Sequence, residues 1–310
     1  MVNKNDELQK LMGGKRFDVE HALGLYALSF YSLPAELLYN QDIGQKLGEG
    51  TKDCHIYLIG IVPKVDLKRA RQEGDTLVLD FEVLGNTYSV HGPIPDGLFL
   101  VHEDDLWYLS DGAGGRFGPS DEQISTAFQM QHGLLEFQVV YVGQAYGKDG
   151  SRNALDRLKK HETLQKIALK GAPDGCRLQL LLIEVHPSNQ MFTVFNPFAV
   201  DHSQGTQRIK QGLDKYFDTS EHERITLYEA SLIRYFQPEY NIEFKNSFPS
   251  TNMKVLKDCY DKDFSSIIAE FCFDHPPFRL SSPSVPAKPY HIIQTDLHDE
   301  ADRKVFFAKE

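Results

Sequence analysis

The stretch 139–161, VVYVGQAYGKDGSRNALDRLKKH, decides the fold that this chain is predicted to adopt. A short run of β-branched residues ends in Tyr-Val-Gly at Gly143, and a polar turn follows. After the turn comes a helical pattern that carries Arg157 and His161 four positions apart. Because residues four apart share one face of an α-helix, the spacing predicts that a guanidinium and an imidazole project together just after a strand.

The composition is that of a soluble globular protein with an acidic surface. The chain has 310 residues, of which 41% are hydrophobic and 25% charged, and a net charge of −11. This sign disfavours a protein that coats nucleic acid or an anionic membrane, so any nucleic-acid site has to be a local basic patch. Four scattered cysteines, no signal-peptide core and no apolar run of transmembrane length predict a cytoplasmic protein with no membrane contact.

The pattern of the chain predicts an α+β fold with three regions. Residues 1–120 are expected to form a helical start, over FDVEHALGLYALSFYSL (17–33), and then a β-rich module. Residues 121–250 follow a βαβα order, which predicts a small central mixed β-sheet flanked by helices. A helix opened by a Ser-Asp cap at Ser120 is expected over SDEQISTAFQMQH (120–132), and then a strand through EFQVVYVG (136–143). A helix over 151–169, the strand RLQLLLIEV (177–185) and a helical region from about 205 to 236 that closes at Pro238 complete the pattern. Residues 251–310 are a C-terminal extension with a helical stretch at 265–273, a Pro/Ser linker at 281–289 and a last strand.

The predicted helix after Gly143 is basic, and Lys160 is one of its lysines. A run of charge is often only the solvated face of a helix. Arg157 beside apolar positions suits phosphate binding through its forked donors, but an arginine at the edge of a core also commonly reaches out to solvent. The pair of Arg157 and His161 therefore leaves both interpretations open.

A second candidate lies in ITLYEASLIRYFQPEYN (225–241). Helical spacing places Glu229 in line with Ile225 and Phe236, among large apolar residues. A lone buried carboxylate is costly, so Glu229 has to be paired with a cation or bound to a metal. An ion pair with Arg157 and ligation of a metal are the two alternatives.

Together these segments resemble the GIY-YIG nuclease superfamily over about 120 residues in the middle of the chain. The motifs that carry the resemblance are VYVG (140–143), ALDRLKKH (154–161), RLQLLLIEV (177–185) and LYEASLIRYFQPEYN (227–241). The resemblance implies an endonuclease that hydrolyses phosphodiester bonds of DNA with Mg²⁺ or Mn²⁺.

The same resemblance assigns roles to individual residues. Glu229 matches the metal ligand, and Arg157 matches the cation that holds the scissile phosphate. Tyr141 matches the tyrosine of the second motif, His161 a polar position near the phosphate, and Asn241 the residue that braces the site. Lys160 and Tyr146 are further candidates for substrate contact.

The tyrosine of the family's first motif is missing from its usual place about ten residues before Tyr141. Leu134 and Leu135 occupy that window. An insertion that moves the first strand upstream would place this tyrosine at Tyr108, and Tyr146 in the following loop is the other candidate.

Three hypotheses for function follow. The first is a GIY-YIG-type endonuclease acting in restriction, repair or defence against foreign DNA, with a protein partner or as a homo-oligomer. The second is a catalytically silenced domain that binds nucleic acid or protein, which the missing tyrosine favours. The third is an unrelated α/β scaffold in which Arg157 and Glu229 form a structural salt bridge.

Overall fold

The centre of the protein is a nine-stranded mixed sheet in the computed structural model, which describes residues 4–40, 42–104, 106–147 and 153–306. Its strands are β1 (Val19–Pro34), β2 (Ile56–Pro63), β9 (Glu136–Gln144), β10 (Cys176–Val185), β11 (Gln190–Phe195), β12 (Ser266–Phe271), β13 (Arg279–Ser282), β14 (Val285–Lys288) and β15 (His291–Asp296). They lie in the order β14-β13-β9-β2-β10-β1-β12-β15, and β11 also pairs with β1.

Two small antiparallel sheets lie between β2 and β9 in the chain. One is built from β3 (Asp66–Glu73), β4 (Thr76–Val83) and β5 (Asn86–Pro93), and the other from β6 (Phe99–Glu103), β7 (Leu106–Ser110) and β8 (Arg116–Phe117). Helix α3 (Asp121–His132) packs on the first of them, with Phe128 against Phe81 and Tyr88 at ring-centroid distances of 6.3 and 5.5 Å. The polypeptide from 64 to 135 is therefore an insertion between two neighbouring strands of the large sheet.

The helices cover both faces of the large sheet. They are α1 (Lys4–Met12), α2 (Ile43–Leu47), α4 (Ala154–Leu158), α5 (Glu162–Lys170), α6 (Gly205–Asp218), α7 (Glu221–Phe236) and α8 (Lys257–Asp261). Leu158 and Leu164, from α4 and α5, share one core cluster with Ile59 of β2, whereas Ile225 of α7 shares the other with Leu58. None of the helices in the described part of the chain is long and apolar enough to cross a membrane.

The predicted fold class is wrong: the sheet is neither small nor central to residues 121–250. It takes strands from 1–120, 121–250 and 251–310. The predicted helix over 17–33 is strand β1, whose first nine residues are all buried except the half-buried Tyr26. β11 and β12 pair with the two edges of the first half of β1, and both of its faces are buried. This part of the sequence therefore lacks the alternation of apolar and polar residues by which a half-buried strand is recognised.

The C-terminal region differs from its prediction for the same reason. The stretch predicted to be helical is β12, which lies between β1 and β15 and is buried on both faces. The Pro/Ser linker is the hairpin of β13 and β14, in which Pro286 falls on the edge strand. Proline is tolerated there because the edge strand needs no donor on its outer side. The last predicted strand is confirmed as β15.

Several predictions for 121–250 are confirmed. Helix α3 begins at a capping box: the side chain of Ser120 accepts from the backbone N–H of Gln123, and the side-chain oxygen of Gln123 accepts from the backbone N–H of Ser120. The strand predicted over EFQVVYVG is β9, and the strand over RLQLLLIEV is β10. The helical region before Pro238 is α6 and α7. The predicted helix 151–169 is instead two helices, α4 and α5, separated by a turn.

A buried cluster of charges joins the N-terminal strand to the C-terminal segment. Glu20 on β1 accepts hydrogen bonds from Arg208 at 2.6 Å and from Arg303 at 2.7 Å, and both arginines also bond to Asp263. The ring of Phe17 packs against the two guanidiniums, 4.1 and 5.0 Å from their central carbons. Because every charge has an opposite partner, the cluster is tolerated in the interior.

We expect Arg303→Met to destabilise the fold by about 3–5 kcal/mol, because Glu20 then keeps a buried charge with half of its compensation removed. Urea denaturation measures the loss. The neighbouring Lys304→Met is the control: its ion pair with Asp296, at 3.6 Å and half-exposed, should contribute under about 1 kcal/mol. Equal stability of the two variants would contradict the structural role of the cluster.

Candidate active site

Two tyrosines face each other across the pairing of β2 and β9. Tyr57 lies opposite Gly143, and Ile59 lies opposite Tyr141. Residues paired across two strands share a face, as do residues two apart on one strand, so Tyr141 lies on the same face of the sheet as Tyr57; the register shifts only after the Ile59–Tyr141 pair. The ring centroids of the two tyrosines are 6.2 Å apart.

Gly143 allows this approach because it has no side chain. A Cβ at this position would lie 2.6 Å from the hydroxyl of Tyr57 and 2.8 Å from the ring of Tyr141. The Tyr-Val-Gly sequence therefore has a direct steric reason: any larger residue would displace both phenols.

His161 completes an aromatic cluster with the tyrosines. Its ring centroid is 5.5 Å from that of Tyr57 and 5.1 Å from that of Tyr141. His161 is also the N-cap of α5, and its Nδ1 accepts a hydrogen bond of 3.2 Å from the backbone N–H of Leu164. Since Nδ1 is an acceptor, the neutral ring carries its proton on Nε2 and offers a donor there. Burial and then Arg157 lower the pKa of His161, which favours this neutral form.

Arg157, on α4, acts electrostatically on all three rings. It is exposed, and its positive charge lowers the pKa of Tyr57, Tyr141 and His161. Burial is the larger effect on the two phenols and raises their pKa, and the negative charge of Glu229 adds to it. The structure thus brings Tyr141, Arg157 and His161 together, as predicted, although α4 ends before His161.

Glu229 approaches from α7 on the other side of β9. It is 7% exposed, and burial raises the pKa of its carboxyl to about 8. The charge of Glu243 raises this pKa further, whereas hydrogen bonds from the backbone and side chain of Gln144 lower it. Within the described residues no ion pair joins Glu229 to Arg157. The salt-bridge explanation for Glu229 is therefore excluded, and Gln144, at the end of β9, is its partner.

Asn241 braces the strand that carries Tyr141. Its side chain accepts a hydrogen bond of 2.9 Å from the N–H of Val142 and donates one of 2.8 Å to the carbonyl of the same residue. The backbone N–H of Tyr240 bonds to Val140 at 3.1 Å. The segment after α7 is thus fixed along β9, which sets the position of Glu229 relative to the phenols.

The remaining predicted residues occupy different surroundings. Tyr146 donates to Glu221 at 3.0 Å and packs against His55 and His222, so it lies near the start of α7. Lys160 is exposed in the turn between α4 and α5. Tyr108 lies in one of the small sheets, where it donates to Glu103 at 2.9 Å and Arg116 covers its ring. The loop residues 148–152 fall outside the described residues.

Sequence reasoning missed Tyr57, Gln144 and Glu243. The tyrosine that lies beside Tyr141 is Tyr57, within the strand HIYLIGIV. An insertion does separate the two strands. Tyr108 lies inside this insertion and not on the strand that precedes it. The sequence signal for Tyr57 is only a buried strand pattern that contains a tyrosine, and its position opposite Gly143 follows from the strand pairing alone.

The oxygen-rich surroundings of Glu229 fit a hard divalent cation. Among the described residues no group of three or more His, Cys, Asp and Glu is arranged to hold a metal. The oxygen donors at this position are the carboxyl of Glu229 and the side-chain oxygen of Gln144, which is buried and has no hydrogen-bond partner among the described residues. Glu243 acts on Glu229 through its charge. Mg²⁺ and Mn²⁺ accept such sites because they retain several water ligands. Glu229, with water, would hold the cation.

Comparisons with known proteins gave no relatives: no family model, no curated protein and no solved structure matches the chain.

We expect Gly143→Ala to destabilise the protein by about 1–3 kcal/mol, because the added methyl group overlaps the ring of Tyr57. Chemical denaturation and the ring resonances of Tyr57 and Tyr141 measure the effect. Gly118→Ala is the matched control, since a Cβ there would meet nothing within 4 Å. Unchanged ring resonances in Gly143→Ala would contradict the close packing.

Glu229 should make stability depend on pH. Its pKa is raised in the folded protein, so the unfolded chain loses this proton first as the pH rises, and folding becomes less favourable. Without metal, the free energy of unfolding of the wild type should fall by roughly 4 kcal/mol relative to that of Glu229→Gln between pH 4.5, the ordinary pKa of a glutamate, and pH about 8. The difference should be constant above that range.

Urea denaturation in EDTA across this pH range measures the effect. Glu122→Gln, on the exposed face of α3, should follow the wild type and serves as the control. If the free energy of unfolding changes with pH in the same way for the wild type and Glu229→Gln, another partner keeps the carboxyl of Glu229 ionised and the prediction is wrong.

Proposed function

We propose that the protein is a metal-dependent phosphodiesterase that cleaves DNA, as the resemblance to GIY-YIG nucleases implies. The observation that carries the proposal is the convergence of two phenols, an arginine, a histidine and a buried carboxyl around the end of β9. A structural cluster would be expected to pair Glu229 with the nearby cation. Here Arg157 is exposed and bonds to Tyr57, and Glu229 bonds to Gln144 instead of to a cation.

Each group has a task that suits the hydrolysis of an anionic diester. A divalent cation bound by Glu229 would supply Lewis-acid stabilisation of the phosphoryl oxygens. Arg157 binds the scissile phosphate through its forked donors and offsets the charge that develops in the transition state. Lys160 is exposed in the adjacent turn and adds positive charge that would attract the DNA strand.

Tyr57 is the best candidate for the general base. It is held on a central strand, and Arg157 partly offsets the effect of burial on its pKa. The phenol carries its proton in the resting protein, because the net shift of its pKa is upward. Tyr57 would first give its proton to hydroxide from the solvent, and Arg157 would stabilise the phenolate that results. The phenolate would then take one proton from the attacking water and become a phenol again. The Nε2–H of His161 is a donor, which suits it to stabilising negative charge rather than to accepting the proton.

The partners and the location follow from the same proposal. The substrate is DNA, held locally by the basic side chains of α4 and the following turn on an otherwise acidic protein. The acidity of the rest of the surface opposes indiscriminate binding, which fits an enzyme of restriction, repair or defence that works with a protein partner or as a homo-oligomer. The four cysteines are free thiols, consistent with a place in the cytoplasm.

The test is cleavage of supercoiled plasmid DNA with Mg²⁺ or Mn²⁺ under single-turnover conditions. We expect Glu229→Ala to abolish cleavage. Tyr57→Phe keeps the ring and removes the hydroxyl, so it should lower the rate about 10²–10⁴-fold, as expected for a lost general base. Tyr290→Phe is the matched control, because Tyr290 is 56% exposed in a loop after β14.

The outcomes separate the hypotheses. Cleavage that survives Glu229→Ala would mean that this site is not the active site. A wild-type protein that binds DNA or RNA through Arg157 and Lys160 but cleaves neither, with metal present, would support the silenced binding domain instead.

A further inference from the structure

The last residue of β9, Gln144, is the partner of Glu229 and has a feature of its own. Its backbone N–H and its side-chain amide both bond to the carboxyl. Its side-chain oxygen is buried and has no hydrogen-bond partner among the described residues. A buried polar atom without a partner is costly, so an unpaired oxygen beside a buried carboxyl indicates that something else occupies this space when the site is in use.

We propose that Gln144 is a positioning residue of the metal site, which orients Glu229 for a divalent cation and accepts a hydrogen bond from a water on that cation. The inference rests on the proposed function. Carboxylates that bind metals are generally held by further hydrogen bonds, and these partners affect metal affinity. The unpaired oxygen of Gln144 is the acceptor that such a water requires.

The chemistry of an amide explains why glutamine suits this position. An arginine or lysine would form an ion pair with Glu229 and compete with the cation. A glutamate would add a third negative charge beside Glu229 and Glu243, which the cation would have to offset. A neutral amide donates to the carboxyl on one side and accepts on the other.

The fold fixes Gln144 at this point. It pairs with Ile56 at the end of β2, and the alternation of side chains along β9 turns Gln144 to the face opposite Tyr141 and Gly143. One strand end thereby holds the phenols on one face and the side chain of Gln144 on the other. Gln144 acts on the reaction only through Glu229 and does not touch the substrate.

The test compares Gln144→Met, which keeps the length of the side chain but removes the amide, with Gln138→Met as the matched control. Gln138 lies on the same strand and is exposed. Mn²⁺ binding is followed by electron paramagnetic resonance. We expect Gln144→Met to weaken Mn²⁺ binding about 10–100-fold and Gln138→Met to leave it unchanged. Excess Mn²⁺ should restore kcat in Gln144→Met, and KM for DNA should stay at the wild-type value.

Mn²⁺ binding by Gln144→Met within twofold of the wild type would overturn the inference.

The failures can be told apart. Wild-type Mn²⁺ binding that Glu229→Ala abolishes and Gln144→Met leaves intact would overturn the role of Gln144 alone. A wild-type protein that binds no Mn²⁺ would overturn the proposed function and this inference with it.

Discussion

The antiparallel pairing of β2 with β9 is the constraint on which the candidate site depends. The register of this pair places Tyr141 on the same face as Tyr57, and Gly143 leaves room for both rings. The same register fixes the position of Gln144 at the end of β9, where it bonds to Glu229 of α7. A slip of one residue would send the phenols and the carboxyl's partner to the wrong faces, since alternate residues of a strand point in opposite directions.

Local signals in the sequence predicted the parts of the site that lie close together in the chain. The capping box at Ser120, the strand before Gly143 and the helix that carries Glu229 each have a pattern that their own neighbours determine. Arg157 and His161 were identified by their spacing, and they do meet at the tyrosines even though the helix breaks between them. Short-range patterns sufficed here because the contacts are short-range.

The rest could not be predicted because it depends on pairing between distant segments. Nothing in the sequence of 64–135 states that the strands on either side of it are neighbours, so Tyr57 was not connected with Tyr141. The strand β1 was interpreted as a helix because both of its edges and both of its faces are covered in the first half. Apolar runs of this kind have no period of two, and only the tertiary partners distinguish them from a buried helix.

The site also depends on more of the chain than the region of resemblance. Tyr57 comes from residues before 121, and β13, from the C-terminal extension, pairs in parallel with the start of β9. The flanking regions therefore help to hold the strand that carries Tyr141. An unpaired sheet edge is free to shift or to bind another chain. On β9 this edge is held along its first half by pairing with β13 and along its second half by the hydrogen bonds of Asn241 to Val142. The geometry of the phenols and of Glu229 is thus a property of the whole sheet. The sheet keeps a costly buried carboxyl at a fixed position near the two tyrosines on which Arg157 also acts.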